Sequence, residues 1–241
     1  MGGRENARMS DAEALKRAAA ERAVEFIEDG MLVGLGTGST ARHVVQVIAE
    51  RRGRGELRSI QGVPTSRATH DLATGLGIPL TTLDAAPELD VAIDGADEVD
   101  PQLNVIKGLG GALLWEKIVE SAADRLIIVV DESKLVERLC DLAPVPIEVV
   151  QFAWSTHLPF LDDLGGKPRL RKQQNGEPYL TDSGHYIIDC AFEDGLSDPW
   201  LFETELRHRP GIVETGLFLD MVSAVVVAAA AGVNILERGD S

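Results

Sequence analysis

The run Arg125-Leu-Ile-Ile-Val-Val130 is apolar at every position after its arginine, and no other feature limits the fold of this chain as strongly. A strand with one wet face alternates apolar and polar residues, whereas a strand apolar throughout is covered on both sides. Met31-Leu-Val-Gly-Leu35, Arg58–Val63, Ile78–Leu83 and Leu89–Ile93 read as further strands. Residues 11–29 carry Ala14, Leu15, Ala18, Ala19, Val24 and Ile27 at helical spacing, and Gly30 ends that helix. Helices are also expected after Gly36-Thr-Gly-Ser-Thr40, with Val44, Val45 and Ile48 on the buried face, over 66–76 and over 112–123. Strands alternating with helices predict an α/β fold, a Rossmann-like parallel sheet with helices on both faces.

The pattern changes after residue 131. A strand is expected to begin at Ile147–Val150, followed by a helix over 155–164, strands at Arg169–Arg171 and His185–Cys190, and a helix near 198–207. This mixture reads as a smaller inserted α+β domain over 132–206. Val213–Phe218, Ser223–Ala228 and Val233–Leu236 then read as strands returning to the first domain, which is expected to comprise 1–131 and 207–241.

Charge narrows the partners. The 241 residues carry a formal net charge of −16. No basic stripe exists to neutralise a nucleic-acid backbone, so no nucleic-acid partner is expected. An anionic ligand gains nothing from the overall field. A phosphate site must be local, built from a few lysines and helix N-termini. The longest apolar stretch, Met221–Val233, is interrupted by Ser223 and Gly232 and is too short for a membrane span, so no membrane association is expected. Met1–Asp11 is polar and lacks the apolar core of an export signal. With Cys140 and Cys190 forming no CxxC pair, two buried thiols and a cytoplasmic location are expected.

Directly after the apolar run Leu89–Ile93 stands Asp94-Gly-Ala-Asp-Glu98, followed by Lys107-Gly-Leu-Gly-Gly111 and, nine residues after that lysine, Glu116. Carboxylates at the carboxyl ends of parallel strands lie where open α/β sheets bind ligands, and a glycine-rich turn opening a helix offers N–H groups to an anion. Turn formation and helix capping are the plainer roles for these aspartates. Together these parts suit proton transfer on a small anionic molecule, although Glu116 taken alone reads as a solvated helix residue. Gly34-Leu-Gly-Thr-Gly-Ser-Thr40 lacks the third glycine of a dinucleotide fingerprint and suits a single phosphate better. Thr65-Ser66 is either a second hydroxyl wall or a helix cap. Lys134, just past the strand ending at Val130, either reaches a phosphate as a point charge or is an exposed lysine at a capped helix start, while Lys16 reads as a solvated helix residue. The histidines are scattered, with no zinc or hydrolase spacing.

At these residues the chain resembles the type A ribose-5-phosphate isomerases. The resemblance runs from about residue 12 to 237, on Gly36–Thr40, Asp94–Glu98, Lys107-Gly-x-Gly110 with Glu116-Lys117, Asp131-x-Ser-Lys134, Pro146-x-Glu-Val149, Thr181-Asp-Ser-Gly184 and Pro210–Val213 leading to Gly216-Leu-Phe218. It implies cofactor-free, metal-free interconversion of ribose 5-phosphate and ribulose 5-phosphate, with Glu116 as base and Asp94, Asp97 and Lys107 at catalytic positions. It places Lys16, Thr37, Gly38, Ser39, Thr40, Gly95, Ala96, Gly108, Leu109, Gly110 and Lys134 at substrate-binding positions, the lysines toward the phosphate. It further implies a homodimer or homotetramer. The chain departs from the family at Leu109, where a glycine is usual, and at Leu114-Trp115, where a polar pair is commoner. A sugar-phosphate-sensing module would keep the phosphate loop but need no base, and an acyl-group or amino-sugar enzyme would need no paired aspartates for hydroxyl handling.

Overall fold

The computed structural model describes residues 2–238, with side chains from residue 13 on; Met1 and residues 239–241, the ends of the expected first domain, lie outside the described residues. Along the chain, α1 (Gly2–Ala23) leads to β1 (Leu32–Leu35), α2 (Ser39–Gly53), β2 (Gln61–Pro64), α3 (Arg67–Gly75) and β3 (Val91–Asp94). Then come β4 (Glu98–Val99), β5 (Val105–Ile106), α4 (Leu113–Ser121) and β6 (Leu126–Asp131). The remainder runs β7 (Val145–Val149), α5 (His157–Asp163), β8 (Lys167–Leu170), β9 (Tyr186–Ala191) and α6 (Pro199–Arg207). β10 (Ile212–Thr215), β11 (Leu217–Phe218), β12 (Ala224–Ala229) and β13 (Gly232–Glu237) complete it.

Two compact units emerge. One comprises the residues through Gly95, Ile118–Lys134 and Val222 onward; the other comprises Ala96–Lys117 and Leu135–Met221. This grouping differs from the expected ranges, because β5 pairs with β11 and with β4, which draws residues 96–117 together with 217–218.

The first unit is a six-stranded sheet in the order β13-β12-β6-β3-β1-β2. Its pairings are parallel except the β12–β13 hairpin. β6 and β12 are buried along all but their last residue, as all-apolar strands require. α1 and α2 pack their apolar residues, among them Ala19, Ala20, Val44, Val45 and Ile48, into one core with Val33, Ile93, Ile127 and Val226. Gly34 lets β1 approach its neighbours closely, since a Cβ there would lie 2.8 Å from that of Ala92. Two expectations fail. The first helix ends at Ala23 and gives way to a 3₁₀ turn, with Ile27 already extended. Ile78–Leu83 is not a strand: Leu80 makes an isolated bridge to Gly62, since Pro79 has no N–H with which to extend a ladder.

The second unit is α+β. Its antiparallel sheet has the order β10-β7-β9-β8, and Leu161 of α5 and Phe202 and Leu206 of α6 share a core with Val145, Ile147, Val149 and Ile188. β11, β5 and β4 make a separate small sheet. Glu98 on β4 is fully buried and accepts hydrogen bonds from the backbone N–H groups of Cys140, Leu142 and Ala143. A carboxylate thus fixes a loop that has no regular structure of its own. Cys140 and Cys190 are both free and buried, and burial pushes the Cys190 thiol up to about 12. The molecule is therefore an α/β protein with a Rossmann-like parallel sheet and a smaller α+β unit.

Glu148 on β7 is another deeply buried carboxylate of this unit. Its Oε1 accepts from the Thr181 hydroxyl at 2.8 Å and lies 2.9 Å from His185 Nδ1, while its Oε2 has no hydrogen-bond partner among the described residues. Burial raises its affinity for a proton above the ordinary carboxylate range, opposed by the bonds from Thr181 and His185. A raised folded-state value contributes stability that is fully present below the unfolded value of about 4.3 and is lost as pH rises through the folded one. Glu148→Gln keeps the Oε1 acceptor and abolishes that loss. Thermal denaturation at a series of pH values is therefore expected to show the midpoint of the variant, relative to the parent chain, climbing as pH rises above the unfolded value of about 4.3. A difference that falls or stays flat contradicts this account of Glu148.

Candidate active site

In the first unit the sequence-predicted residues gather at the carboxyl ends of the parallel strands, where an open α/β sheet binds its ligands. Asp94 ends β3 and is buried. Its Oδ1 accepts from the backbone N–H of Thr37 at 2.9 Å and from that of Gly95 at 2.6 Å. One carboxylate oxygen thereby ties the loop after β1 to the loop after β3. The fit leaves no room for a side chain at Gly36, where a Cβ would sit 2.2 Å from the Asp94 carboxyl carbon. Gly38 has φ of 109° and ψ of −175°, a conformation essentially confined to glycine, and it serves as the N-cap of α2. Ser39 and Thr40 open that helix, so their backbone N–H groups belong to its first turn, the positive end of the helix.

Thr37 does more internal work than its sequence position suggests. Its hydroxyl lies 2.7 Å from that of Thr65, 2.8 Å from that of Ser66 and 3.1 Å from that of Thr69. Ser66 also caps α3, accepting from the Thr69 N–H at 3.1 Å, so of the two readings of Thr65-Ser66 the cap is present. Lys16 is not an ordinary solvated residue: its Nζ donates to the Ser39 hydroxyl at 3.2 Å and pairs with Glu13 at 3.1 Å, and Glu13 also lies 2.8 Å from His43 Nε2. Lys134 closes the 3₁₀ turn after β6 and forms no ion pair among the described residues.

In the second unit, Lys107, Glu116, Asp97 and the loop 108–111 are held together. Lys107 Nζ and Glu116 Oε2 are 3.6 Å apart, with side chains only 2% and 5% exposed. Glu116 lies in the first turn of α4, where the positive helix end favours a carboxylate, and the neighbouring ammonium favours it too. The lysine also rides 5.4 Å from the ring centroid of Phe218, and its backbone N–H donates to the Gly216 carbonyl at 2.9 Å. Asp97 is half-buried, and its Oδ2 accepts from the Leu109 N–H at 2.9 Å. Ala96 directly precedes it. Gly108 and Gly111 both adopt positive φ, whereas Leu109 does not. A leucine therefore fits at the position where the family has glycine, with its side chain 43% exposed. Trp115, the other departure, donates from Nε1 to the Ser183 hydroxyl at 2.9 Å.

Several residues that matter here have contacts that no local sequence signal shows. Arg171 and Tyr179 donate to carbonyls of the 108–110 loop. Lys117, next to Glu116, is buried, pairs with Glu214 at 2.7 Å and donates to the Thr215 carbonyl at 2.7 Å. Lys117 was visible in the Glu-Lys motif, but its partners lie about a hundred positions away and could be found only through β10. The two units divide the predicted residues: Lys16, Thr37, Gly38, Ser39, Thr40, Asp94, Gly95 and Lys134 lie in the first, and Ala96, Asp97, Lys107, Gly108, Leu109, Gly110 and Glu116 in the second.

A buried carboxylate with a buried ammonium beside it, next to a glycine loop and a second carboxylate, is a constellation for moving protons on an anionic substrate. Comparison with known proteins points to the same chemistry. Residues 61–232 match the family described as ribose 5-phosphate isomerase A (phosphoriboisomerase A). The chain is 48% identical to a ribose-5-phosphate isomerase A of Roseiflexus castenholzii over 94% of its own length and 96% of the relative's. It also superposes with a TM-score of 0.91 and 46% identity on a D-ribose-5-phosphate isomerase solved in complex with phospho-erythronic acid, covering 94% of this chain and 99% of that one. The ribose 5-phosphate isomerase of Plasmodium falciparum gives a TM-score of 0.91 at 37% identity, with the same two coverages. With most of its length matched in sequence and in structure, the chain belongs to the ribose 5-phosphate isomerase A family.

Proposed function

We propose that Glu116 is the base that carries the proton in this enzyme's reaction, and that the buried contact between Lys107 and Glu116 is the observation on which that assignment rests. The reaction is the aldose–ketose interconversion of D-ribose 5-phosphate and D-ribulose 5-phosphate, a step of the non-oxidative pentose phosphate pathway. In the aldose-to-ketose direction the C2–H bond breaks and its proton passes to the Glu116 carboxylate, leaving an enediolate. Delivery of a proton to C1 forms the new C–H bond. Meanwhile O2 loses its proton to become the ketone, and O1 gains one to become the hydroxyl. Asp94 and Asp97 are assigned to these oxygen protons and to opening of the furanose ring. Lys107 and the N–H groups of the glycine loop are assigned to the developing oxyanion, where fixed donors contribute most.

Thr37, Gly38, Ser39 and Thr40, with Gly95, Ala96, Gly108, Leu109 and Gly110, are proposed to bind the substrate, and Lys16 and Lys134 to meet its phosphate. Two observations support the phosphate assignment: Lys16 is tethered to Ser39 at the start of α2, and Lys134 has no competing carboxylate among the described residues. A cytoplasmic location is proposed on the two free, buried thiols. Among the described residues no helix is long and apolar enough to cross a membrane. A homodimer or homotetramer is proposed on the family resemblance and on the apolar side chains the second unit presents, with Phe152 88%, Trp200 55% and Leu201 58% exposed.

Three measurements test these assignments. Glu116→Gln preserves size and hydrogen bonding and is expected to lower kcat by at least about 10²-fold, while the purified variant still binds phospho-erythronic acid. Near-normal turnover removes Glu116 from the chemistry. Lys134→Ala is expected to raise KM for ribose 5-phosphate about 10-fold with kcat nearly unchanged, as for a contact made equally in ground and transition states. A steep fall in kcat at constant KM moves Lys134 into the chemistry. Sedimentation equilibrium at micromolar concentration is expected to report two or four copies, and a monomer overturns the assembly proposal.

A further inference from the structure

Three consecutive carbonyls of the 108–110 loop accept hydrogen bonds from two side chains of the second unit, Arg171 and Tyr179. Arg171 Nη1 donates to the Gly108 carbonyl at 2.8 Å and to that of Leu109 at 3.0 Å, and the Tyr179 hydroxyl donates to that of Gly110 at 3.2 Å. The guanidinium is itself locked. Its Nε donates to Asp189 Oδ2 at 2.9 Å, its Nη2 donates to Asp189 Oδ1, and its side chain is only 12% exposed. Asp189 lies on β9, in register with Arg169 of β8. The fork is therefore built on the sheet and presented to the loop, with one edge engaged by the carboxylate and the other by backbone oxygens.

The peptide unit joining Gly108 to Leu109 makes this grip consequential. A trans peptide is planar, so its C=O and N–H point in opposite directions. On one side the Gly108 carbonyl is fixed by Arg171; on the other, the Leu109 N–H donates to Asp97 Oδ2 at 2.9 Å. We propose that Arg171, braced by Asp189, is a positioning residue for the isomerase reaction: it sets the plane of the 108–109 peptide and, through the Leu109 N–H, the orientation of the Asp97 carboxylate. This rests on the reading of Asp97 as a proton-handling group. Lysine cannot replace the arginine here, because a single ammonium does not hold a carboxylate edge and two carbonyls at once. The backbone leaves the loop in need of such a brace, as Gly108 and Gly111 flank Leu109 and Gly110 with positive φ and supply no side chains of their own.

The test is a double-mutant cycle on steady-state kinetics with ribose 5-phosphate, each variant checked by thermal denaturation. Arg171→Lys is expected to lower kcat about 10-fold with KM within about 3-fold, because an interaction that shapes only the reacting geometry acts on kcat. Asp97→Asn is expected to be impaired on its own, and adding Arg171→Lys to it is expected to cost little more, since groups acting through one another are not additive. An unaffected Arg171→Lys beside an impaired Asp97→Asn overturns the positioning role and leaves Asp97 in place, as do losses that multiply in the double variant. A fully active Asp97→Asn overturns the reading of Asp97 and the proposal with it. If Arg171→Lys does not fold, Asp189→Asn takes its place, since it frees the guanidinium without deleting it: the same kcat loss supports the proposal, and an unchanged kcat overturns it.

Discussion

Burial of Lys107 against Glu116 is the constraint around which the second unit is arranged. Neither group is stable alone in an apolar setting, and removing one partner of such a pair typically costs about 3–5 kcal/mol. The pair persists because its surroundings are fixed on every side. The ring of Phe218 faces Lys107, and on its other flank it faces Lys117 at 4.7 Å. Phe218 is held by pairing of β11 with β5, and Gly216 permits the Lys107 carbonyl to come so close that a Cβ there would lie 2.3 Å from it. Lys117 has its own acceptors in Glu214 and the Thr215 carbonyl, which leaves Lys107 as the ammonium beside Glu116. Two lysines ten positions apart thus share one aromatic ring and serve different carboxylates.

The same economy governs the first unit. Asp94 Oδ1 collects two backbone N–H groups, so the residue that ends β3 also sets the path of the loop after β1. The glycine at position 36 is required by that closeness rather than by its dihedral angles. The hydroxyls of Thr37, Thr65, Ser66 and Thr69 then form a contiguous network beneath the loop. Rigid support behind the loop gives its exposed members, Gly38 and Ser39, a defined conformation.

Much of this was legible in the sequence because the governing signals are local. Leu126–Val130 and Ser223–Ala228 announced buried strands by composition alone, and both lie in the central sheet. The motif residues stood close together in sequence, as Asp94 with Asp97 and Lys107 with Glu116. The two-residue strands β4 and β5 were not legible, since pairing over two residues leaves no periodicity, and the expected strand Val213–Phe218 is in fact two, β10 and β11. Ile78–Leu83 misled for the opposite reason: its side chains suit a strand, but Pro79 interrupts the ladder. Arg171 and Tyr179 could not be recognised at all, because their role consists of hydrogen bonds to backbone carbonyls more than sixty positions away. A carbonyl has no sequence signature.

Proton transfer between C2 and C1 by a carboxylate differs from hydride transfer in which hydrogen reaches the product carbon. A carboxylic acid formed midway exchanges with solvent, whereas hydride transfer keeps the original hydrogen on carbon. Running the reaction on ribose 5-phosphate in D₂O with EDTA present and following C1 of the ketose by NMR separates the two. Turnover equal to that without EDTA, and deuterium at C1, are expected. Turnover that collapses with the chelator, and a ketose without solvent label, would contradict proton transfer by a carboxylate.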